Sequence, residues 1–339
     1  GADNPDSLRG NYFDGVIIDE YGDITPRLFG EVIAPTLADR KGWCVFIGTP
    51  KGRNHFFDLW EDAARSNGWF TSMLKASQSG IIDAEELEML KNSPGSDENT
   101  YRQEFECDFA AAVRGAYYGD QLNELEATHC GSYPHDPDKQ VLLAFDIGYS
   151  DDTSIWFYQT NGQDFAIIDF FTVAGYSVDD VLAHLRGKPY AYGTFYLPHD
   201  AKNKSFQTGK SVRELMQSAG CQTQIVPSLS VQDGIQAVRK TLPHCYFNTV
   251  NADVRQGFSA LRTYQRQWDD KRQIFKEQPL HDWTSNPADA FRMLALAMNP
   301  AATRKGAQVI NHTSLPTNVV TLDRLFAERE ARQSDVRRI

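Results

Sequence analysis

The chain has 339 residues, enough for two domains or one large one. Hydrophobic residues make up 41% and aromatic residues 12%, which supports a sizeable buried core, and no apolar run approaches the roughly 20 residues that span a bilayer. The formal net charge of -11 argues against a generally basic nucleic-acid coat but leaves room for a local basic groove.

The first residues, Gly1 to Asp6, are polar and acidic and lack the apolar stretch of a signal peptide. Residues 1–75 read as an α/β piece. Tyr12 to Glu20 reads as a buried strand ending in two acids, and Gly42 to Pro50 as a second strand ending in a turn. A helix is expected near 55–66. Two continuous apolar strands with a helical segment between them suggest parallel pairing. Residues 76–134 are mixed, with helices expected over 83–91 and 98–105 and a break at 92–96. Gly115 to Pro134 carries turn residues and reads as a connection.

Residues 135–300 alternate strands and helices. Strands are predicted near 141–146, 154–159, 165–171, 194–198 and 222–226, and helices near 177–186, 210–219, 231–242, 252–268 and 287–298. Three strands in an apparent meander, followed by alternating helices and strands, is the element order of a ribonuclease H-like domain. Residues 301–339 read as a polar tail, with one helix expected over Leu322 to Arg332. The five cysteines form no CxxC pair and read as reduced thiols, with zinc not expected.

Val16-Ile17-Ile18-Asp19-Glu20 has the form of a Walker B strand, whose first acid holds the magnesium shell and whose second polarises the attacking water. Thr49, in Gly48-Thr49-Pro50, is placed to sense a γ-phosphate. An ordinary buried strand with a solvated acidic end is the alternative. No G-x-x-x-x-G-K-[ST] run precedes Asp19. The near match around Gly209-Lys210-Ser211 has Lys204 where the first glycine belongs and comes after Asp200. ATP hydrolysis by this chain alone is therefore not expected.

The second constellation is Asp146, Asp200 and Asp289. Asp146 ends the apolar run Val141 to Phe145 ahead of Gly148, and Asp200 follows the run Thr194 to His199. Asp289 lies in a helix apolar almost all round. Two-metal phosphodiester hydrolysis needs carboxylates on rigid elements that share two divalent ions, and a buried acid needs a partner. Each acid also has an ordinary explanation: turn-capping for Asp146, capping of the following segment for Asp200, and an acid at a helix start for Asp289. Runners-up are Asp151, Asp152, Asp282 and His281. Lys202, Lys204, Lys210 and Arg213 form the expected phosphate track, with Arg239 and Lys240 weaker candidates, and nothing resembles a base-reading motif.

Leu8-Arg9-Gly10, the 16–20 strand, Gly48-Thr49-Pro50-Lys51-Gly52, Glu104 to Phe109 and Phe145-Asp146-Ile147-Gly148 together resemble the large terminase subunit of tailed bacteriophages over roughly residues 1–300. The resemblance implies residues 1–75 as the end of a packaging ATPase domain, 76–134 as a linker or connecting subdomain, 135–300 as a ribonuclease H-like nuclease and 301–339 as a C-terminal tail. It implies cutting of double-stranded viral DNA concatemers with Mg²⁺ or Mn²⁺, two ions held by Asp146, Asp200 and Asp289. ATP would act only in a full-length context, because the Walker A half is missing. Implied partners are double-stranded DNA, the portal protein and the small terminase subunit, with no membrane, in the host bacterial cytoplasm. The alternative is a motor or portal-docking module that cuts only in the assembled complex.

Overall fold

The computed structural model describes residues 5–93, 96–111, 113–148, 152–205, 209–269, 272 and 274–298. Asp151 and the helix expected over Leu322 to Arg332 lie outside them.

The N-terminal part holds a parallel strand pair, β1 (Gly15–Ile18) and β2 (Trp43–Phe46), joined through a π-type turn (Leu28–Ile33) and α1 (Ala34–Ala38). Their apolar residues alternate between faces, as period-2 backbone geometry requires. Val16, Ile18, Cys44 and Phe46 pack with Leu28, Val32, Ile33 and Phe56. Ile17, Trp43, Val45 and Ile47 face outward and are exposed. Helix α2 (His55–Arg65) follows, its N-terminus capped by the Asn54 carboxamide, which accepts from the amides of Phe56 and Phe57. Short helices α3 (Ala76–Ser79), α4 (Ala84–Asn92) and α5 (Glu98–Glu104) lead out of this unit.

The stretch expected as a connection carries real structure. Tyr118 and Leu122 are fully buried at the start of α6 (Gly119–His129), and β3 (Cys130–Gly131) pairs at a sheet edge. The sequence next builds β4 (Val141–Asp146), β5 (Thr153–Asn161) and β6 (Asp164–Val173), an antiparallel meander. Helix α7 (Val178–Arg186), β7 (Tyr192–Leu197), α8 (Val212–Ser218), β8 (Gln222–Ile225), α9 (Val231–Thr241), β9 (Cys245–Asn248) and α10 (Ala252–Thr263) then alternate. A hairpin of β10 (Arg266–Asp269) and β11 (Ile274–Pro279) precedes α11 (Ser285–Met298).

The seven-stranded order is β3-β9-β6-β5-β4-β7-β8. Its centre, three antiparallel strands followed by two parallel ones beside the first, is the ribonuclease H-like arrangement. Every residue of β5 from Thr153 to Gln159 is buried, because both faces of the sheet are covered. One face packs Val141, Leu143 and Phe145 under α7 and α8, and the other packs Ala144, Trp156 and Phe170 under α9, α10 and α11. The Trp156 indole donates to the Pro287 carbonyl at 2.8 Å, fixing α11 across the sheet.

Two expectations shift. The helix expected over 252–268 stops at Thr263, because the next residues leave helical geometry and Arg266–Asp269 finds its partner strand at 274–279. The strand β9 was not expected. Only four residues long, it is recruited by pairing with β6 and β3 rather than by any long apolar run.

Candidate active site

Asp146 is the last residue of β4. Strand alternation puts it on the side of Ala144, the face that α11 covers. β7 runs parallel to β4, with Ala144 opposite Tyr196, so both strands end at the same sheet rim. β7 stops at Leu197, and Asp200 sits in a single 3-10 turn (His199–Lys202) just beyond it, exposed. Asp146 and Asp200 thus come from neighbouring parallel strand ends at one rim of the sheet. That rim is where open α/β sheets present functional groups.

Asp289 lies near the start of α11, which packs on β4, β5 and β7. Burial pushes its carboxyl pKa up, against the Arg292 guanidinium, His281 and the Tyr264 hydroxyl, which pull it down. Arg292 Nη2 is 2.9 Å from Asp289 Oδ1. That oxygen nonetheless accepts no hydrogen bond among the described residues, so the contact is one of charge, off the hydrogen-bond axis. As the side chains stand, no three His, Cys, Asp or Glu among the described residues are grouped to hold a metal ion. Asp289 is engaged with Arg292 in place of a shared cage.

The runners-up are spoken for. Asp152 is ion-paired with Arg27 at 3.2 Å, which ties the start of β5 to the N-terminal unit. Asp282 Oδ1 accepts from the Thr284 amide at 2.8 Å and from its hydroxyl, a turn that starts α11; burial outweighs these bonds and raises its pKa. His281 next to it is exposed.

In the basic track, Lys202 shares the turn of Asp200, and Lys204 is 4.0 Å from Glu214. Lys210 rims a cavity of about 280 Å³ beside Ile147 and Gly148. Ser211 is a helix cap: its hydroxyl receives the Glu214 amide, and Glu214 returns to the Ser211 amide. That capping box accounts for the phosphate-loop-like Gly-Lys-Ser spelling. Arg213 is half-buried next to this cap, with its Nε lacking a partner among the described residues.

In the N-terminal unit, the strand ends at Asp19-Glu20 and Gly48-Thr49-Pro50 lie side by side. The Ile47 amide donates to Ile18 at 2.9 Å and the Tyr21 amide to Ile47 at 3.1 Å, placing Gly48-Thr49-Pro50 against Asp19 and Glu20. Glu20 adopts the left-handed region with φ 49, unusual for a non-glycine residue. Its carboxylate lies 3.8 Å from Lys51 Nζ, and Lys51 also pairs with Asp23. Two residues on, Arg53 reaches Glu126 on α6 at 2.7 Å, and Glu126 also holds the buried Arg262 of α10 at 3.0 Å.

Arg27 and Arg292 are the residues the sequence reading missed. Arg292 carries a local signal, since positions three apart on a helix share a face. Arg27 carries none, because its partner is 125 residues away. All five cysteines are free, and no helix of the described residues is long and apolar enough to cross a membrane.

No protein-family model matches the chain. The large terminase subunit of Thermus virus P23-45 is 27% identical over 238 residues, covering 65% of this chain and 48% of that protein. The large terminase subunit of Escherichia phage T5 is 22% identical over 306 residues, covering 86% of this chain and 67% of that protein. Among solved structures, the large terminase of the thermophilic bacteriophage D6E in complex with ADP aligns with a TM-score of 0.42 at 14% identity, over 86% of this chain and 71% of that one. The chain spans about half the length of the Thermus relative. It is, by sequence, a relative of the large terminase subunits of phages.

Proposed function

We propose that this chain is a metal-dependent endonuclease that cuts double-stranded viral DNA during genome packaging. The observation that carries the reading is the placement of Asp146 and Asp200 at adjacent parallel strand ends, with Asp289 on the helix that crosses the same face. The three carboxylates suit hard divalent ions such as Mg²⁺ or Mn²⁺. The Asp289 oxygen that is buried without a hydrogen bond fits such a ligand role. Asp146, Asp200 and Asp289 would hold two ions, which when bound supply an activated water and stabilise the leaving oxygen. Strand-end placement fixes Asp146. Lys202, Lys204, Lys210 and Arg213 would take the DNA phosphates without reading sequence.

Asp19, Glu20 and Thr49 belong to an ATPase remnant in this reading, and ATP would act only together with a phosphate-binding loop from elsewhere. Portal protein and small terminase subunit are the proposed partners, and the host cytoplasm the proposed setting. Incubating plasmid DNA with the protein and Mn²⁺ or Mg²⁺ tests the activity. Cutting is expected, and Asp146→Ala should lower it by on the order of a hundredfold or more. Cutting by Asp146→Ala at the wild-type rate would refute the assignment.

A second reading has its own observation. The three acids are not grouped as a ready cage, as befits a docking module whose nuclease site is completed on assembly. Cutting that appears only on addition of portal protein or small subunit would select it.

A further inference from the structure

We infer that Arg292 is a positioning residue for Asp289: it serves as the internal counter-ion of that carboxylate until a divalent cation takes its place. The inference rests on the reading of Asp289 as a metal ligand. Arg292 lies one helical turn after Asp289, largely buried, with Nη2 2.9 Å from Oδ1. The pair is close in charge but poorly made as a hydrogen bond. Oδ1 accepts none, and the buried Nε of Arg292 has no partner among the described residues. The Tyr118 hydroxyl, an electrostatic neighbour of both, is likewise buried without one. Three buried polar atoms around this one acid are left without hydrogen bonds, so the pair is held by charge more than by alignment.

The other side of Arg292 has been cleared for it. A side chain at Gly234 on α9 would place its Cβ 3.0 Å from Arg292 Cδ, so glycine leaves the aliphatic stem its path. Arg292 is thus a long arm whose aliphatic stem packs along α9 and whose head lies near a carboxylate that keeps an open lone pair. Such an arm can neutralise Asp289 in the resting state and withdraw when a stronger positive charge arrives. It must also repel that cation, so it sets an upper limit on metal affinity.

Mn²⁺ binding to the full chain, followed by electron paramagnetic resonance of the free ion and by thermal melting, tests this. Arg292→Met should bind Mn²⁺ roughly tenfold or more tightly than wild type, because the competing charge is gone. It should melt lower without metal and show a larger Mn²⁺-induced rise in Tm. Arg292→Gln, gentler on folding, should tighten binding in the same direction, while Arg292→Lys keeps wild-type affinity. Arg292→Gln affinity equal to or weaker than wild type would overturn the inference while leaving the nuclease reading intact. Absence of Mn²⁺ binding by the wild type would overturn both.

Discussion

Acidification should loosen the seam between the N-terminal unit and the nuclease-like sheet through His55. This ring packs edge-on against Tyr21 at 4.8 Å and against Trp283 at 5.3 Å. Its Nε2 lies 2.8 Å from the Tyr21 carbonyl, which can only accept, so Nε2 carries the proton and Nδ1 is left buried without a partner. Protonating Nδ1 would bury a charge with nothing to receive its hydrogen. Burial accordingly lowers the His55 pKa from 6.5 to about 4. A folded value below the unfolded one means stability is fully present above pH 6.5 and is lost as pH falls towards 4. At about 1.4 kcal/mol per pH unit, the ceiling is about 3 kcal/mol, with about 2 kcal/mol already lost at pH 5. Carboxylates titrate in the same range, so the assay compares variants. Urea unfolding followed by tryptophan fluorescence from pH 7.5 to 4.5 should show the wild type losing about 2.5 kcal/mol more than His55→Gln. Glutamine keeps a donor for the Tyr21 carbonyl but cannot charge. Parallel pH profiles for the two proteins would refute the reasoning.

Glu126→Ala should cost about 3 kcal/mol in urea unfolding, because Arg262, 4% exposed, would keep a buried charge without its carboxylate. Arg53→Ala, at the 40%-exposed end of the same network, should cost less than about 1 kcal/mol; equal costs would contradict this division. Gly257→Ala in α10 should destabilise by about 1–3 kcal/mol despite the better helix propensity of alanine. The added Cβ would meet the Trp156 ring at 2.4 Å and Phe170 at 2.9 Å. A higher Tm for Gly257→Ala would show that this contact is not as close-packed as described.

The sequence made the sheet legible where burial is continuous. β4, β5 and β7 are apolar runs closed by turn residues, and the order of elements is enough to specify the ribonuclease H-like centre. It was silent where pairing is tertiary. Cys245–Asn248 becomes a strand only because β6 and β3 flank it, and nothing in residues 264–269 breaks a helical pattern until β11 pairs with them. Likewise, Gly119 to His129 looked like a connection because its polar residues outnumber the few, Leu122 above all, that anchor it. In the candidate site, the strand-end position of Asp146 and the turn position of Asp200 follow from local chemistry. What occupies Asp289, Asp152 and Asp282 does not, since partner choice depends on which charges the fold brings near. Arg27 from the other unit and Thr284 two residues away each bond one of these acids, and Arg292 one turn along faces the third through charge alone.

Anomalous scattering from crystals soaked in Mn²⁺ would test the central claim most directly. Two peaks about 3.5–4 Å apart, touching Asp146, Asp200 and Asp289, with the last turned away from Arg292, are the predicted result. Crystals that show no peak at these acids, or manganese bound only elsewhere, would contradict it.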